Sequence, residues 1–210
     1  TSLPPADVWI ETFGCDPAAE CVHDLVARLA QDATAPVWIN LEYMSAEPWV
    51  ERSPGLPSPV MSGPLRGLTT AFFFPGFTPA TGGLLREPDL PARQAAFRPA
   101  PWLASLGLPA GDRRRAALFC YEPPALAQVL AQAQGVDWLV TPGRATQAIR
   151  TAQAAGAVIE PERLHALPAL TQHDFDHLLW SCDLNFVRGE DSLVRALWAG
   201  RAFVWHIYPQ

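Results

Sequence analysis

The stretch Asp183–Ser192 joins an apolar run, a glycine turn and a helix start. Arg188 and Gly189 end the apolar run. The predicted helix then opens with three residues that carry side-chain oxygens: Glu190, Asp191 and Ser192. The first N–H groups of a helix attract anions, so a diphosphate would suit Arg188 and this turn, and a carboxylate could hold sugar or ribose hydroxyls. A plainer interpretation stays open, in which Asp191 or Ser192 caps the helix and Arg188 pairs with Glu190 at the surface.

Two aromatic residues mark a second junction, Leu118–Pro123. Phe119 and Tyr121 stand two positions apart in a predicted strand, so their side chains point the same way, because strand side chains alternate. Such a pair can stack on a nucleotide base. Packing in the core is the commoner role, at least for Phe119.

The segment His173–His177 places two histidines four positions apart on a predicted helix. The pattern is similar to the zinc motif H-E-x-x-H, with Asp174 where the motif has glutamate. Zinc needs a further ligand, and the shorter aspartate is badly placed as a general base. We favour the alternative that Thr171 and Asp174 form a helix cap and that the histidines are solvated.

Two further features are predicted from local pattern. His206 lies between Trp205 and Ile207 in a terminal strand, and we expect a hydrogen-bonded core histidine. Segment 75–83 is rich in glycine and threonine, and we expect a flexible loop that wraps a substrate or crosses between domains. The sequence has no G-x-G-x-x-G, which argues against a dinucleotide site.

From residue 113 onward, strand-like runs alternate with helical patterns. Strands are predicted at 116–121, 136–141, 164–167, 183–187 and 202–208, and helices at 125–134, 144–155, 172–181 and 191–199. This alternation predicts βαβ units and a parallel sheet, and the continuously apolar strands predict helices on both faces. Ligands of such sheets bind beyond the carboxyl ends of the strands, where both junctions lie.

The first half has a different pattern. Strands at 8–11 and 37–43 flank a helix within 18–32 and predict a β-α-β unit. Residues 44–110 are rich in proline and glycine, which is typical of a functional loop system or a linker. We therefore expect two domains, 1–110 and 111–210. Because strand-like runs lie close to both ends, we expect an internal piece of a longer protein.

The composition favours a folded protein with an acidic surface. Of the 210 residues, 49% are hydrophobic and 17% charged, against a usual charged share of about 25%, which excludes intrinsic disorder. All 15 basic residues are arginines, which excludes a P-loop or a Schiff-base lysine within these residues. The net charge of −6 argues against nucleic acid or an anionic membrane as partner and fits a basic protein.

The cysteines and the apolar runs indicate a reducing compartment. Cys120 and Cys182 lie in apolar stretches and are expected to be buried free thiols. No apolar run reaches the roughly 18 residues of a membrane span, and no signal-peptide pattern opens the chain. We expect a cytoplasmic protein without a membrane partner.

Several long and unusual strings carry a resemblance to a known family. They are Trp38–Glu47, Phe72–Thr78 leading to Thr81–Glu87, and Asp183–Gln210. Together they resemble the protein-arginine rhamnosyltransferases of bacterial elongation factor P, the EarP family, over essentially the whole chain.

This resemblance implies a GT-B-type α/β glycosyltransferase with two Rossmann-like halves and an active site between them. Residues 1–110 would be the end of the N-terminal, acceptor-side half, and residues 111–210 most of the nucleotide-sugar-binding half. The implied reaction is inverting and metal-independent and uses no cofactor. It moves rhamnose from dTDP-β-L-rhamnose to an arginine of elongation factor P, the implied partner.

The resemblance also implies roles for particular residues. Phe119, Tyr121, Gln172 and Phe175 would form the nucleotide pocket, with one or two of the aromatic rings against thymine. Arg188, Glu190, Asp191 and Ser192 would hold the diphosphate, ribose and rhamnose, and Glu190 would support catalysis. The family's proposed catalytic aspartates belong to a segment upstream of this chain, so we expect these 210 residues to be inactive alone.

Two functions of other classes stay open from the residues themselves. One is a non-catalytic α/β module that binds a basic protein through its acidic surface. The other is a zinc hydrolase built on His173 and His177.

Overall fold

The structure, a computed structural model, describes residues 6–31, 34–108 and 111–207. The chain divides into two compact units, Thr1–Leu85 and Arg86–Gln210. The end of the last predicted strand, at Tyr208, lies outside the described residues, as does the predicted domain boundary at Ala110. No helix within the described ranges is long and apolar enough to cross a membrane.

The first unit is built around a four-stranded sheet. Its elements are β1 (Val8–Thr12), α1 (Ala19–Leu29), β2 (Val37–Leu41), a 3-10 helix (Pro48–Arg52), β3 (Pro57–Pro59) and β4 (Thr69–Phe73). The strand order is β1-β2-β4-β3. Strands β1, β2 and β4 are parallel, whereas β3 pairs antiparallel with β4. The predicted β-α-β unit is confirmed, and β3, which carries two prolines, lies at an edge, where a missing N–H is tolerated.

Helix α1, which the sequence predicts within 18–32, packs on the sheet through apolar residues. Leu25 is buried together with Trp38 of β2 and Leu65. Val22, Val26 and Leu29 pack around them, half-buried. This packing covers one face of the sheet near β1 and β2 and leaves their carboxyl ends to the loops that follow.

Segment 75–83 folds back on strand β4. The N–H of Gly82 donates to the carbonyl of Phe74 at 2.9 Å, and that of Gly76 to the carbonyl of Gly83 at 3.2 Å. A Cβ on Gly82 would lie 2.1 Å from Cζ of Phe73, so only glycine fits against this ring. The two ends of the loop are therefore held against β4, whereas residues 77–80 at its tip are exposed; its flexibility and its role stay predictions.

The second unit contains a five-stranded parallel sheet with helices on both faces. Its elements are α2 (Leu90–Ala96), α3 (Pro99–Ser105), β5 (Arg114–Leu118), α4 (Leu126–Gln132), β6 (Val136–Val140), α5 (Arg144–Ala154), a 3-10 helix (Pro161–Arg163), β7 (Leu164–Ala166), α6 (Gln172–Ser181), β8 (Leu184–Arg188), α7 (Asp191–Ala199) and β9 (Ala202–His206). The strand order is β7-β6-β5-β8-β9, and every pairing is parallel. The α/β alternation predicted from residue 113 onward is confirmed.

Both faces of this sheet are covered. On one face, α4 and α5 bury Leu118, Trp138 and Val140 together with Leu130 and Ile149. On the other face, α3 and α6 pack on Ala117 and Leu139 through Leu103 and Leu178. This two-sided burial accounts for the continuously apolar strands.

Helices α2 and α3 were not predicted, and they move the boundary between the units. The sequence predicts a break at residue 110, whereas the structure divides the chain at Leu85 and Arg86. Leu90 of α2 is buried beside Val187 and Ala196, and Leu103 of α3 lies against the sheet. Residues 86–108 therefore belong with the second unit, because their apolar side chains are buried there.

Candidate functional site

A cleft of about 280 Å³ opens where strands β5 and β8 of the second unit end and α6 and α7 begin. It is lined by Phe119, Leu170, Thr171, Gln172, Phe175, Asp191, Ser192 and Arg195. Five of these residues are among the eight predicted to bind the donor: Phe119, Gln172, Phe175, Asp191 and Ser192. The structure therefore brings together residues that are more than 70 positions apart in the sequence, as expected at the carboxyl edge of a parallel sheet.

The start of α6 is fixed by a capping pair. The N–H of Asp174 donates to Oγ1 of Thr171 at 3.1 Å, and Oγ1 of Thr171 donates to Oδ2 of Asp174 at 2.7 Å. This second bond is the main cause of the lowered pKa of Asp174, to which the indole N–H of Trp102 also donates, at 3.2 Å. The predicted cap is confirmed, and it holds Gln172 and Phe175 of the first helical turns at the cleft.

Phe119 forms one wall of the cleft. Strand β5 ends at Leu118, so the prediction that the strand continues through Phe119 and Tyr121 is wrong. At the end of the strand, the carbonyl of Leu118 accepts from both the N–H and the hydroxyl of Thr141, and the N–H of Phe119 donates to the carbonyl of Phe186. The ring of Phe119 meets that of Phe175 edge-on, with centroids 5.1 Å apart.

Arg188 lies against both aromatic residues of the β5 junction. Its Cζ is 4.6 Å from the ring centroid of Phe119 and 4.9 Å from that of Tyr121. The two rings thus share one guanidinium, in keeping with their predicted common direction. Stacking occupies the faces of a guanidinium and leaves its in-plane N–H groups to acceptors. Arg188 is half-buried in this position.

Tyr121 lies beside the cleft instead of lining it. Besides Arg188, Arg144 contacts its ring, with Cζ 4.9 Å from the ring centroid. The ring of His206 meets it edge-on, with centroids 5.2 Å apart. The buried Nδ1 of His206 has no hydrogen-bond partner among the described residues, so the prediction of a hydrogen-bonded core histidine is wrong. Its ring packs against Tyr121.

The turn between β8 and α7 depends on Gly189 and Ser192. Gly189 has a φ of +66°, a conformation that costs other residues about 1–2 kcal/mol. The hydroxyl of Ser192 accepts from the N–H of Arg188 at 3.0 Å and donates to the carbonyl of the same residue. Glu190 is the N-cap residue of α7 and is half-buried, but its side chain makes no capping bond. Asp191 is the first helical residue and is exposed at the cleft.

Arg195 also lines the cleft and belongs to a buried charge network that was not predicted from the sequence. Arg195 is 7% exposed and Asp176 is 2% exposed. Arg195 donates from Nε to Oδ1 of Asp176 at 2.7 Å, from Nη2 to Oδ2 of Asp176, and from Nη1 to Oε2 of Glu87 at 2.7 Å. Arg93 adds a 3.4 Å bond to Oδ2 of Asp176. The network ties α7 to α6 and to the start of the second unit.

The bonds within this network shift the pKa values of Glu87 and Arg195. The hydrogen bond from Arg195 is the largest cause of a lowered pKa at Glu87. Burial alone would lower the pKa of Arg195, but its bonds to Asp176 and Glu87 outweigh burial and raise it. A signal for Arg195 exists in the sequence, because it lies three and four positions after Ser192 and Asp191 and so shares their helix face.

The histidine pair on α6 does not form a metal site in this structure. His173 is exposed, whereas His177 stacks on Phe97 with ring centroids 4.5 Å apart. Full solvation is therefore wrong for His177. No group of three or more His, Cys, Asp or Glu is placed to hold a metal within residues 6–31, 34–108 and 111–207.

Comparison with known proteins identifies the family. The profile of the family "Elongation-Factor P (EF-P) rhamnosyltransferase EarP" matches residues 1–210, the whole chain. The chain belongs to the EarP family. The predicted resemblance is confirmed.

Named relatives of this EarP-family chain are protein-arginine rhamnosyltransferases. The one from Pseudomonas putida is 43% identical, that from Shewanella oneidensis 40%, and one from Neisseria meningitidis 35%. The matches cover 98%, 98% and 100% of this chain but 57%, 57% and 55% of the relatives. The chain thus spans a little over half the length of these EarP-type relatives.

A solved structure is also similar to this EarP-family chain. It comes from work on the structural basis for EarP-mediated arginine glycosylation of translation elongation factor EF-P. It is 30% identical, with a TM-score of 0.59, and the match covers 96% of this chain and 73% of that one. The α/β fold with parallel sheets is therefore shared with an EarP protein.

Proposed function

We propose that this chain carries the donor-binding part of an inverting, metal-independent glycosyltransferase with the GT-B fold. Its reaction would transfer rhamnose from dTDP-β-L-rhamnose to an arginine side chain of translation elongation factor P, in the cytoplasm. Membership of the EarP family and the names of the relatives support the reaction class. The observation on which the proposal rests in this chain is the cleft at the carboxyl edge of the second sheet.

The lining of the cleft suits a nucleotide sugar. Its volume of about 280 Å³ lies just below the roughly 300–1,000 Å³ of small-molecule sites, so it would enclose part of the donor. Phe119 and Phe175 offer aromatic surface for thymine, and Gln172 offers hydrogen bonds to the base edge. Asp191, which is exposed and lines the same cleft, would accept bonds from ribose or rhamnose hydroxyls.

The diphosphate would lie at the turn between β8 and α7. Arg188 stacks on Phe119 and Tyr121, which orients its in-plane N–H groups, and the first N–H groups of α7 carry the positive end of the helix dipole. Fixed donors of this kind stabilise charge that develops during a reaction. They would do so for the departing dTDP, with Glu190 supporting catalysis nearby.

The bond changes define what the site must accomplish. A guanidinium nitrogen forms a bond to the anomeric carbon of rhamnose as the carbon–oxygen bond to dTDP breaks. The electron pair of the broken bond leaves with dTDP, and the nitrogen gives up one proton to a base. Because the arginine guanidinium is protonated at neutral pH and is a poor nucleophile, orientation of the acceptor and stabilisation of the leaving group would both be required.

Mass spectrometry of elongation factor P tests the proposal. We expect one arginine to gain the mass of a deoxyhexose after incubation with dTDP-β-L-rhamnose and the intact enzyme. Asp191→Asn should lower the yield, whereas the exposed Asp112→Asn should not. An unmodified acceptor with the unaltered enzyme would refute the transferase, and equal yields from the two variants would refute the assignment of the cleft.

A further inference from the structure

Helix α7 links the donor cleft to the place where the chain enters the second unit. Asp191, in the first turn of the helix, lines the cleft, and Arg195, four positions later on the same helix face, lines it too. Nη1 of Arg195 donates to Oε2 of Glu87 at 2.7 Å. One turn further on, the ring centroid of Trp198 lies 4.8 Å from Cζ of Arg86. The second unit begins at Arg86, and we call residues 86–89 the entry segment.

Arg195 is held rigidly between the cleft and the entry segment. Its Nε and Nη2 donate to the two carboxylate oxygens of Asp176, and its Nη1 donates to Glu87. Since a guanidinium is planar, bonds from all three nitrogens fix both its position and its orientation. Asp176 belongs to α6, whose residues Gln172 and Phe175 also line the cleft. A movement of α6 or α7 at the cleft therefore changes the bonds of Arg195.

The bond to Glu87 is the more easily altered of the two ion pairs of Arg195. The exposed fraction of the side chain is 39% for Glu87 and 2% for Asp176, and water screens an exposed pair more than a buried one. The bond is still the largest cause of the lowered pKa of Glu87. A change in the position of Arg195 therefore acts on Glu87 before it acts on Asp176.

The entry segment in turn fixes the start of helix α2. The carbonyl of Glu87 accepts from the N–H of Leu90 at 3.1 Å, and the carbonyl of Asp89 accepts from the N–H of Arg93 at 3.0 Å. Nε of Arg93 also donates to Oδ2 of Asp89 at 3.1 Å. Leu90 is 3% exposed. Glu87 thus contacts α7 with its side chain and begins α2 with its backbone.

We propose that Arg195 is a positioning residue that couples nucleotide binding in the donor cleft to the order of the entry segment. A nucleotide that fixes the first turn of α7 also fixes Arg195, and Arg195 then holds Glu87 and the start of α2. Coupling of this kind is reciprocal, so loss of the Glu87 contact weakens nucleotide binding although Glu87 does not line the cleft. The inference rests on the proposed function, since that function places the dTDP part of the donor in this cleft.

The sign of the effect separates positioning from charge. Removal of the negative charge of Glu87 by itself makes the surroundings of Arg195 more positive, which favours a bound diphosphate. Positioning predicts the opposite, because a loosened Arg195 leaves the cleft wall less well ordered. Weaker binding of dTDP without the Glu87 charge is therefore specific to the positioning role.

Calorimetry with dTDP on the intact enzyme tests the coupling in four proteins: the unaltered enzyme, Glu87→Gln, Arg195→Lys and the double variant. Glu87→Gln keeps an acceptor oxygen and loses only the charge, and Arg195→Lys keeps the charge but loses the planar fork. Glu160→Gln is the matched control, because Glu160 also pairs with an arginine of the second unit, Arg163.

We expect Glu87→Gln to weaken dTDP binding about fivefold, the lower end of typical couplings, and Glu160→Gln to leave it unchanged. In the Arg195→Lys background, Glu87→Gln should cause no further loss. A full fivefold loss in that background, or equal or tighter binding by Glu87→Gln alone, would overturn the coupling. Absence of dTDP binding to the unaltered enzyme would refute the proposed function and the coupling together.

Hydrogen exchange supplies a second readout that the unaltered protein can give. The N–H groups of Leu90 and Arg93 report on the entry segment, because both donate to its carbonyls. We expect saturating dTDP to slow their exchange in the unaltered enzyme and not in Glu87→Gln. The N–H of Ala155, which donates to the carbonyl of Thr151 at the end of α5, is the reference. Equal slowing at Ala155 would indicate stabilisation of the whole unit and would overturn the specific coupling.

Discussion

The hydroxyl of Ser192 is bound to the backbone of Arg188 on both sides. It accepts from the N–H of Arg188 at 3.0 Å and donates to the carbonyl of the same residue. Ser192 is 5% exposed, so water cannot easily replace either bond. The residue thus closes the turn that places Arg188 against Phe119 and Tyr121, and its contribution to donor binding is to fix this turn.

Ser192→Ala should therefore lower stability as well as donor affinity. Removing the hydroxyl leaves two backbone groups without their partner, which costs about 1–3 kcal/mol. Chemical denaturation measures this loss, and Ser192→Thr, which keeps a hydroxyl, should recover most of it. Unchanged stability together with a large loss of dTDP affinity would show instead that the hydroxyl contacts the ligand directly.

Arg188→Lys tests whether the stacked guanidinium binds the diphosphate. Lysine keeps the charge but loses the planar stack on the two rings and the paired N–H donors. We expect affinity for dTDP to fall about tenfold, which corresponds to roughly 1.4 kcal/mol, and affinity for thymidine to change little. Arg150→Lys, at an exposed position of α5, is the matched control. Equal losses for thymidine and dTDP would show that the stack supports the base pocket instead of the phosphates.

The Arg195–Asp176 pair should be among the costliest in the second unit to break. Asp176→Asn takes the buried carboxylate away from Arg195 and leaves it only the part-exposed Glu87 as a charged partner. Breaking a buried pair typically costs about 3–5 kcal/mol. Arg195→Met combined with Asp176→Leu removes both charges and should cost less than the sum of the two single changes. Thermal and chemical unfolding of the unaltered protein, Arg195→Met, Asp176→Leu and the double variant measure this coupling. Additive losses would mean that the pair contributes little beyond its individual residues.

The second-unit sheet could be predicted because its strands and helices are encoded locally. Largely apolar runs such as Val136–Val140 are buried on both faces, and the Thr171–Asp174 cap requires residues only three positions apart. The β8–α7 turn was predicted for the same reason, since arginine, glycine and the helix start are contiguous. Five predicted donor residues consequently line one cleft; their roles in binding stay predictions.

What the sequence did not predict depends on contacts between distant residues. Arg195 meets Glu87, 108 positions away, and Arg93 meets Asp176, 83 positions away, so no local pattern shows which residues pair in the network. Helices α2 and α3 have seven residues each and begin with proline at N1 or N2. Their sequence therefore has the composition of a proline-rich loop. Their place is decided by burial of Leu90 and Leu103, a tertiary effect.

Glu87 should make the second unit sensitive to acid. Its pKa in the folded protein lies below the ordinary 4.5, chiefly because Arg195 donates to it. A carboxyl group with a lowered pKa stabilises the fold above its ordinary pKa and loses this contribution as the pH falls through the folded value. The stability difference between the unaltered protein and Glu87→Gln should therefore be constant above pH 4.5 and shrink below it. A difference that stays constant to pH 3, or grows, would contradict this, and Glu51→Gln controls for the loss of one charge.

The four cysteines should differ sharply in reactivity. Burial raises the pKa of Cys120 to about 11 and that of Cys182 to about 12, whereas Cys15 is exposed. Since the thiolate is the reactive form, iodoacetamide at pH 8 should label Cys15 first and leave Cys120 and Cys182 unmodified until the protein unfolds, as peptide mass spectrometry would show. Because both raised values exceed the ordinary 9.0, the neutral thiols stabilise the fold below pH 9 and lose this contribution as the pH rises through 11. Rapid labelling of Cys120 in the native protein would contradict the burial of the β5 junction. Phe119, the neighbour of Cys120 in this junction, lines the proposed donor cleft.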